Sequence, residues 1–141
     1  SATPRFARAA DWPHGSDPNV LEGFVAQLAK DYRRTVAEFL ELQVRGSVAA
    51  EATLAALRAA LAAQGECTAA VLQRAVALLH ATDLRASLPR IAAPALVITG
   101  RYDRIVHPDA SRALAALLPN ARGVELERCG HAPFLSHRGR A

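Results

Sequence analysis

The sequence predicts an α/β protein that is mostly helical, with a long helical part followed by a parallel βαβ unit. Three observations carry this. Apolar residues recur at three- and four-residue spacing through most of the first ninety residues. A short apolar run, Ala95 to Thr99, sits between Pro94 and Gly100. A ten-residue helical stretch then separates that run from a second strand-like segment, which implies parallel pairing with a right-handed crossover.

Residues 1–16 hold Trp12, Pro13 and Gly15 without periodicity and read as an irregular lead-in. Asp17-Pro18 is a helix start, a capping carboxylate followed by proline at the first helical position. From there Val20, Leu21, Phe24, Leu28, Tyr32, Val36, Phe39 and Leu40 mark one long amphipathic helix or two consecutive ones, ended by Gly46. Residues 49–63 form the next helix, with Leu54, Leu57 and Leu61 on one face and Gly65 closing it. A further helix is expected from about Ala69 to His80, with Val71, Leu72, Val76 and Leu79 inward.

The character changes at Pro89. Residues 95–99 suit a strand buried on both faces. Asp109 to Leu118, with Pro108 ahead of it and Pro119-Asn120 behind, is helical, and residues 123–128 form the second strand. The expected division is therefore a helical region over 1–88 and an α/β portion over 89–141. Two parallel strands do not make a stable sheet alone.

Composition narrows the function classes. The 141 residues are 51% hydrophobic and 21% charged, with a formal net charge of +4. That apolar content excludes intrinsic disorder, and no stretch approaches the ~20 apolar residues of a membrane span. Arg5 and Arg8 have no apolar run behind them, so no secretory leader is expected. Cys67 and Cys129 are the only cysteines, too few for a disulfide framework, and fit a reducing, cytoplasmic setting. All but one of the 17 basic residues are arginine, scattered singly or in pairs, and only seven aromatics are present. The basic balance reads as a solvated arginine-rich surface, not a nucleic-acid footprint.

Candidate chemistry lies in two segments at the carboxyl ends of the expected strands, the edge where ligands and catalytic groups gather in open α/β sheets. Gly100-Arg101-Tyr102-Asp103 places a carboxylate in the loop leaving the first strand. Cys129-Gly130-His131-Ala132-Pro133-Phe134 places a histidine just past the second. On neighbouring strands Asp103 reaches the Nδ1 proton of His131, fixing the tautomer and leaving Nε2 as general base. No His pairs with acidic ligands at metal-site spacing, and no glycine-rich phosphate loop is present, so neither a metal nor another cofactor is expected.

These segments resemble the acid and histidine loops of α/β-hydrolases, through Gly100-x-x-Asp103 with Val106 and Pro108, then Gly130-His131-x-Pro133. Within that fold the chain is similar to the BioH-type pimeloyl-acyl-carrier-protein methyl ester esterases of biotin synthesis. The residues carrying that likeness are Asp11-Trp12-Pro13, Arg34-Thr35-Val36, Phe39-Leu40-Glu41-Leu42-Gln43, Thr82-Asp83-Leu84-Arg85 and His131-Ala132-Pro133-Phe134-Leu135-Ser136-His137. The resemblance covers nearly the whole chain. It implies the C-terminal part of an α/β-hydrolase, with residues 1–88 as the lid over an acyl channel. It also implies a carboxylic ester hydrolase acting on a pimeloyl methyl ester held by acyl-carrier protein. Asp103 would orient His131, and His131 would activate a serine and then water. Phe39, Leu40, Glu41, Leu42 and Gln43 would line the substrate path, and Arg34 would meet the acidic carrier.

The chain departs from that family in two ways. No serine stands in Gly-x-Ser-x-Gly and no His-Gly-Gly motif is present. Both would precede Ser1 in the family, and the family continues beyond Ala141 into a closing helix. The chain thus reads as the second half of an esterase, inactive by itself, whose N-terminal half is its missing partner. Second, Glu38 and Glu51 stand where the family's lid would offer basic residues, with Arg33, Arg45 and Arg58 nearby. A general short-chain carboxylesterase is the alternative, and a non-catalytic helical binding module is the other.

Overall fold

A computed structural model describes residues 2–65 and 67–137. The chain ends discussed above, Ser1 and residues 138–141, lie outside the described residues. The element order is α1 (Pro18–Lys30), α2 (Tyr32–Val44), α3 (Ala50–Gln64), α4 (Ala69–Ala81), a 3₁₀ helix (Arg85–Arg90), β1 (Ala95–Gly100), α5 (Pro108–Leu117), β2 (Ala121–Leu126) and α6 (Pro133–Ser136).

Asp17 caps α1 as expected, its carboxylate accepting from the Asn19 N–H at 2.9 Å. The amphipathic stretch beyond it is two helices, because Asp31 leaves helical geometry (φ −150°). Its own N–H closes α1 on the Gln27 carbonyl, and its side chain caps α2 by accepting from the Arg34 N–H. One residue thus satisfies orphan backbone groups on both sides of the break.

Strands β1 and β2 pair in parallel, with Ala95 opposite Ala121 and Gly100 opposite Leu126. The second strand therefore starts two residues earlier than the side-chain pattern suggests and ends two earlier. Arg122 and Gly123 carry no apolar signal, yet they hold the ladder opposite Leu96 and Val97 through their backbones. Helix α5 crosses over one face and gathers two apolar clusters. Trp12, Val106 and Ala110 form the first, while Leu88, Val97 and Leu114 form the second.

Two further expectations are corrected. The run 95–99 is covered on one face only: Val97 and Thr99 are buried, but Leu96 is 53% exposed. Helix α4 turns Leu72 and Val76 partly inward but leaves Val71 and Leu79 exposed, since α1 covers only one side of it. Among the described residues the lead-in holds no helix or strand, as expected, yet it is anchored. It forms isolated bridges (Ala7 with Ser16, Ala9 with Trp12, Arg5 with Asp83) and buries Trp12 against the loop before α5. Arg85 secures it, stacking over the Trp12 ring at 5.5 Å and pairing with both Asp11 and Asp83.

Candidate active site

Asp103 leaves β1 in a tight loop and is buried, its side chain fully shielded from solvent. Its Oδ1 accepts the N–H groups of Ile105 (2.8 Å) and Val106 (2.9 Å), a turn closed on its own side chain. Its Oδ2 lies 2.8 Å from His131 Nδ1. A carboxylate offers only lone pairs, so Nδ1 carries the proton, and in the neutral ring Nε2 is the nitrogen with the free lone pair. The His131 side chain is 24% exposed, so the ring is open on one side and fixed on the other. This is the geometry of an oriented general base.

Close approach of the two strand ends makes the pairing possible. A Cβ on Gly100 would lie 2.1 Å from the Gly130 carbonyl oxygen and 2.5 Å from that of Cys129, so no larger residue fits there. The acid and histidine loops are also stitched together directly, the Tyr102 N–H donating to the Cys129 carbonyl at 2.8 Å. Burial pushes the Cys129 thiol up, which leaves it an inert packing group beneath the histidine loop.

The other expected site residues divide by position along α2. Gln43 is beside His131: its backbone carbonyl accepts the His131 N–H at 2.8 Å. Phe39 is half-buried, with its ring 5.3 Å from that of Phe24 on α1, while Leu40 is buried and Leu42 half-buried. Glu41 is exposed and ion-paired with Arg58 of α3 at 3.1 Å, which joins it to α3 and not to His131. Arg34 is exposed and pairs with Glu38 at 2.8 Å, and Glu38 raises its pKa. The acidic residue noted above as a departure thus partly neutralises the arginine expected to meet a carrier.

Sequence reasoning missed Ser47 and Arg128. Ser47 Oγ accepts the Gly130 N–H at 2.8 Å, and Arg128, with a left-handed φ of 50°, offers its carbonyl to the Val48 N–H. Gly46 marks a helix end, but nothing in the residues after it announces a contact more than eighty positions away. Among the described residues no group of three or more His, Cys, Asp or Glu could hold a metal, and no helix is long and apolar enough to cross a membrane.

A helical segment feeding a parallel βαβ unit, with acid and histidine at adjacent strand ends, defines a class. The chain belongs to the α/β-hydrolase fold family, whose model matches residues 17–138. More particularly, it is 45% identical over 137 residues to a pimeloyl-[acyl-carrier protein] methyl ester esterase of Stenotrophomonas maltophilia, covering 97% of this chain and 53% of that protein. It is 43% identical over the same length to a protein of that name from Xanthomonas oryzae, covering 54% of it. Among solved structures it is similar in fold to an esterase from Exiguobacterium antarcticum, with a TM-score of 0.82 at 18% identity, over 96% of this chain and 49% of that one. The chain spans about half the length of the curated relatives it matches.

Proposed function

We propose that this chain supplies the lid, the acid and the base of a carboxylic ester hydrolase of the pimeloyl-[acyl-carrier protein] methyl ester esterase type, serving biotin synthesis. Residues 1–88, with α1–α4 as their body, act as the lid, and residues 89–141 belong to the catalytic core. The observation that carries the reading is the 2.8 Å contact between buried Asp103 and the half-open ring of His131, in a chain 45% identical to a protein of that name.

On this reading the nucleophile serine and the oxyanion donors come from the part of the complete protein that this chain does not span. In the complete protein His131 Nε2 takes the serine proton as Oγ attacks the ester carbonyl. The tetrahedral intermediate collapses to an acyl-enzyme, and the methoxide takes that proton and leaves as methanol. Water, deprotonated by His131, then releases the acid and restores the serine. Asp103 holds the ring in the required tautomer throughout and stabilises the imidazolium. Phe39, Leu40, Glu41, Leu42 and Gln43 border the acyl path, and Arg34 meets the acidic carrier protein.

The test is a chimera that joins the unmatched half of the Stenotrophomonas maltophilia relative to this chain. The chimera should hydrolyse short-chain esters and a carrier-bound pimeloyl methyl ester, while this chain alone hydrolyses neither. Arg34→Glu should slow capture of the carrier-bound ester at low salt and leave short-ester turnover within about twofold. A folded chimera inactive on every ester would contradict the acid–base reading. Carrier-bound turnover indifferent to Arg34→Glu at low salt would replace the carrier reading with that of a general short-chain carboxylesterase.

A further inference from the structure

Three hydrogen bonds outside any helix or sheet ladder tie the corner between α2 and α3 to the histidine loop. The Gln43 carbonyl accepts the His131 N–H at 2.8 Å, Ser47 Oγ accepts the Gly130 N–H at 2.8 Å, and the Arg128 carbonyl accepts the Val48 N–H at 2.9 Å. The fit is close, because a Cβ on Gly130 would lie 2.5 Å from the Gln43 carbonyl oxygen and 3.1 Å from Ser47 Oγ. Only one of the three bonds depends on a side chain, that of Ser47.

We infer that Ser47 is a positioning residue for His131, holding the peptide in front of the base from the lid side. The inference rests on the hydrolase reading for its catalytic consequence, but its structural content stands alone. Ser47 fixes the amide of Gly130 and the Gln43 carbonyl fixes the next amide, so two successive peptide planes are held from one corner. Those planes set the direction in which the His131 side chain leaves the backbone, and the bond to Asp103 Oδ2 depends on that direction. Gly130, lacking a Cβ, has the widest backbone freedom of any residue and needs external restraint at this position. Ser47 Oγ bonds the Gly130 amide while the imidazole bonds Asp103, so Ser47 acts through the backbone and not in the chemistry. The same bonds make the α2–α3 corner and the base one mechanical unit, so a displacement of that corner is felt at His131.

The experiment compares wild type with Ser47→Ala and Ser47→Thr, the latter keeping an Oγ, both in this chain and in the chimera. In this chain, hydrogen exchange at the Gly130 amide should speed up about tenfold in Ser47→Ala and stay within about twofold of wild type in Ser47→Thr. The share of His131 carrying its proton on Nδ1, read from ring ¹⁵N shifts, should fall in Ser47→Ala alone. In the chimera, Ser47→Ala should lower kcat on a short ester about tenfold at unchanged KM, and Ser47→Thr should restore it. Unchanged exchange and tautomer in a folded Ser47→Ala chain would overturn the assignment. Loss of helical circular dichroism in that variant would overturn it too, since Ser47 would then hold the fold and not the base. A wild-type chimera without esterase activity would remove the hydrolase reading only, and exchange and tautomer would still decide for or against Ser47.

Discussion

Helices α3 and α4 and the βαβ unit are all rich in apolar residues, but they use them differently. Of the described side chains, α3 fully buries only Thr53 and α4 buries none, leaving Leu78 68% exposed. Helix α5, shorter than either, buries Pro108, Ala110, Ser111 and Leu114 and takes part in both apolar clusters. The Asp103 and His131 loops lie on that denser side. Catalytic geometry needs positions held within about 0.5 Å, and the denser packing is the one that can supply it. The contrast divides the molecule into a densely packed part that holds the Asp103–His131 pair and a sparsely packed helical part, the one proposed above as the lid.

The largest effect that sharpens this contrast is expected at Gly100. Gly100→Ala drives a Cβ into the backbone carbonyls of the histidine loop, and neither strand end can yield cheaply. Urea unfolding should show a loss above about 4 kcal/mol, and a loss below about 1 kcal/mol would mean the strand ends are not so tightly joined. Next comes Leu114→Ala, which empties the cluster with Leu88 and Val97 and should cost about 2–5 kcal/mol. Its counterpart Leu78→Ala, on the exposed side of α4, should stay within about 0.5 kcal/mol. Equal losses at the two leucines would break the comparison.

The smallest effect concerns the lead-in. Hydrogen bonds from Arg85, chiefly, hold the Asp83 carboxyl well below the usual carboxylate range, and Arg85 lowers Asp11 as well. A depressed folded-state pKa gives stability that is present above the ordinary carboxylate range and lost as pH falls through it. The Tm of the wild type should therefore drop more steeply than that of Arg85→Gln below about pH 4. The difference should shrink in high salt, because both carboxyl groups lie at the surface. Parallel acid profiles would show that the arginine contributes nothing to anchoring the lead-in.

What was legible in the sequence follows from where backbone and side chain agree. Asp17-Pro18, the Pro94 and Gly100 limits of β1, and the helix from Pro108 carry residue types that dictate local geometry, and the structure has them in place. The Asp103–His131 pairing was legible because parallel neighbours bring consecutive strand ends to one edge. Helix faces in α4 were not, since alanines and leucines on every side give little contrast between inward and outward. The onset of β2 was hidden because Arg122 and Gly123 contribute backbone and no apolar signal. Ser47 was hidden for a different reason: its bond to Gly130 spans 83 positions and belongs to no motif.

The central claim, proposed above, is that Asp103 orients His131 as the general base of the complete hydrolase. Its most direct test is short-ester turnover by the chimera with Asp103→Asn, which keeps the shape but holds the ring in the wrong tautomer. The account predicts a loss on the order of 10⁴ in kcat with KM little changed. Turnover within about tenfold of the parent chimera would contradict it.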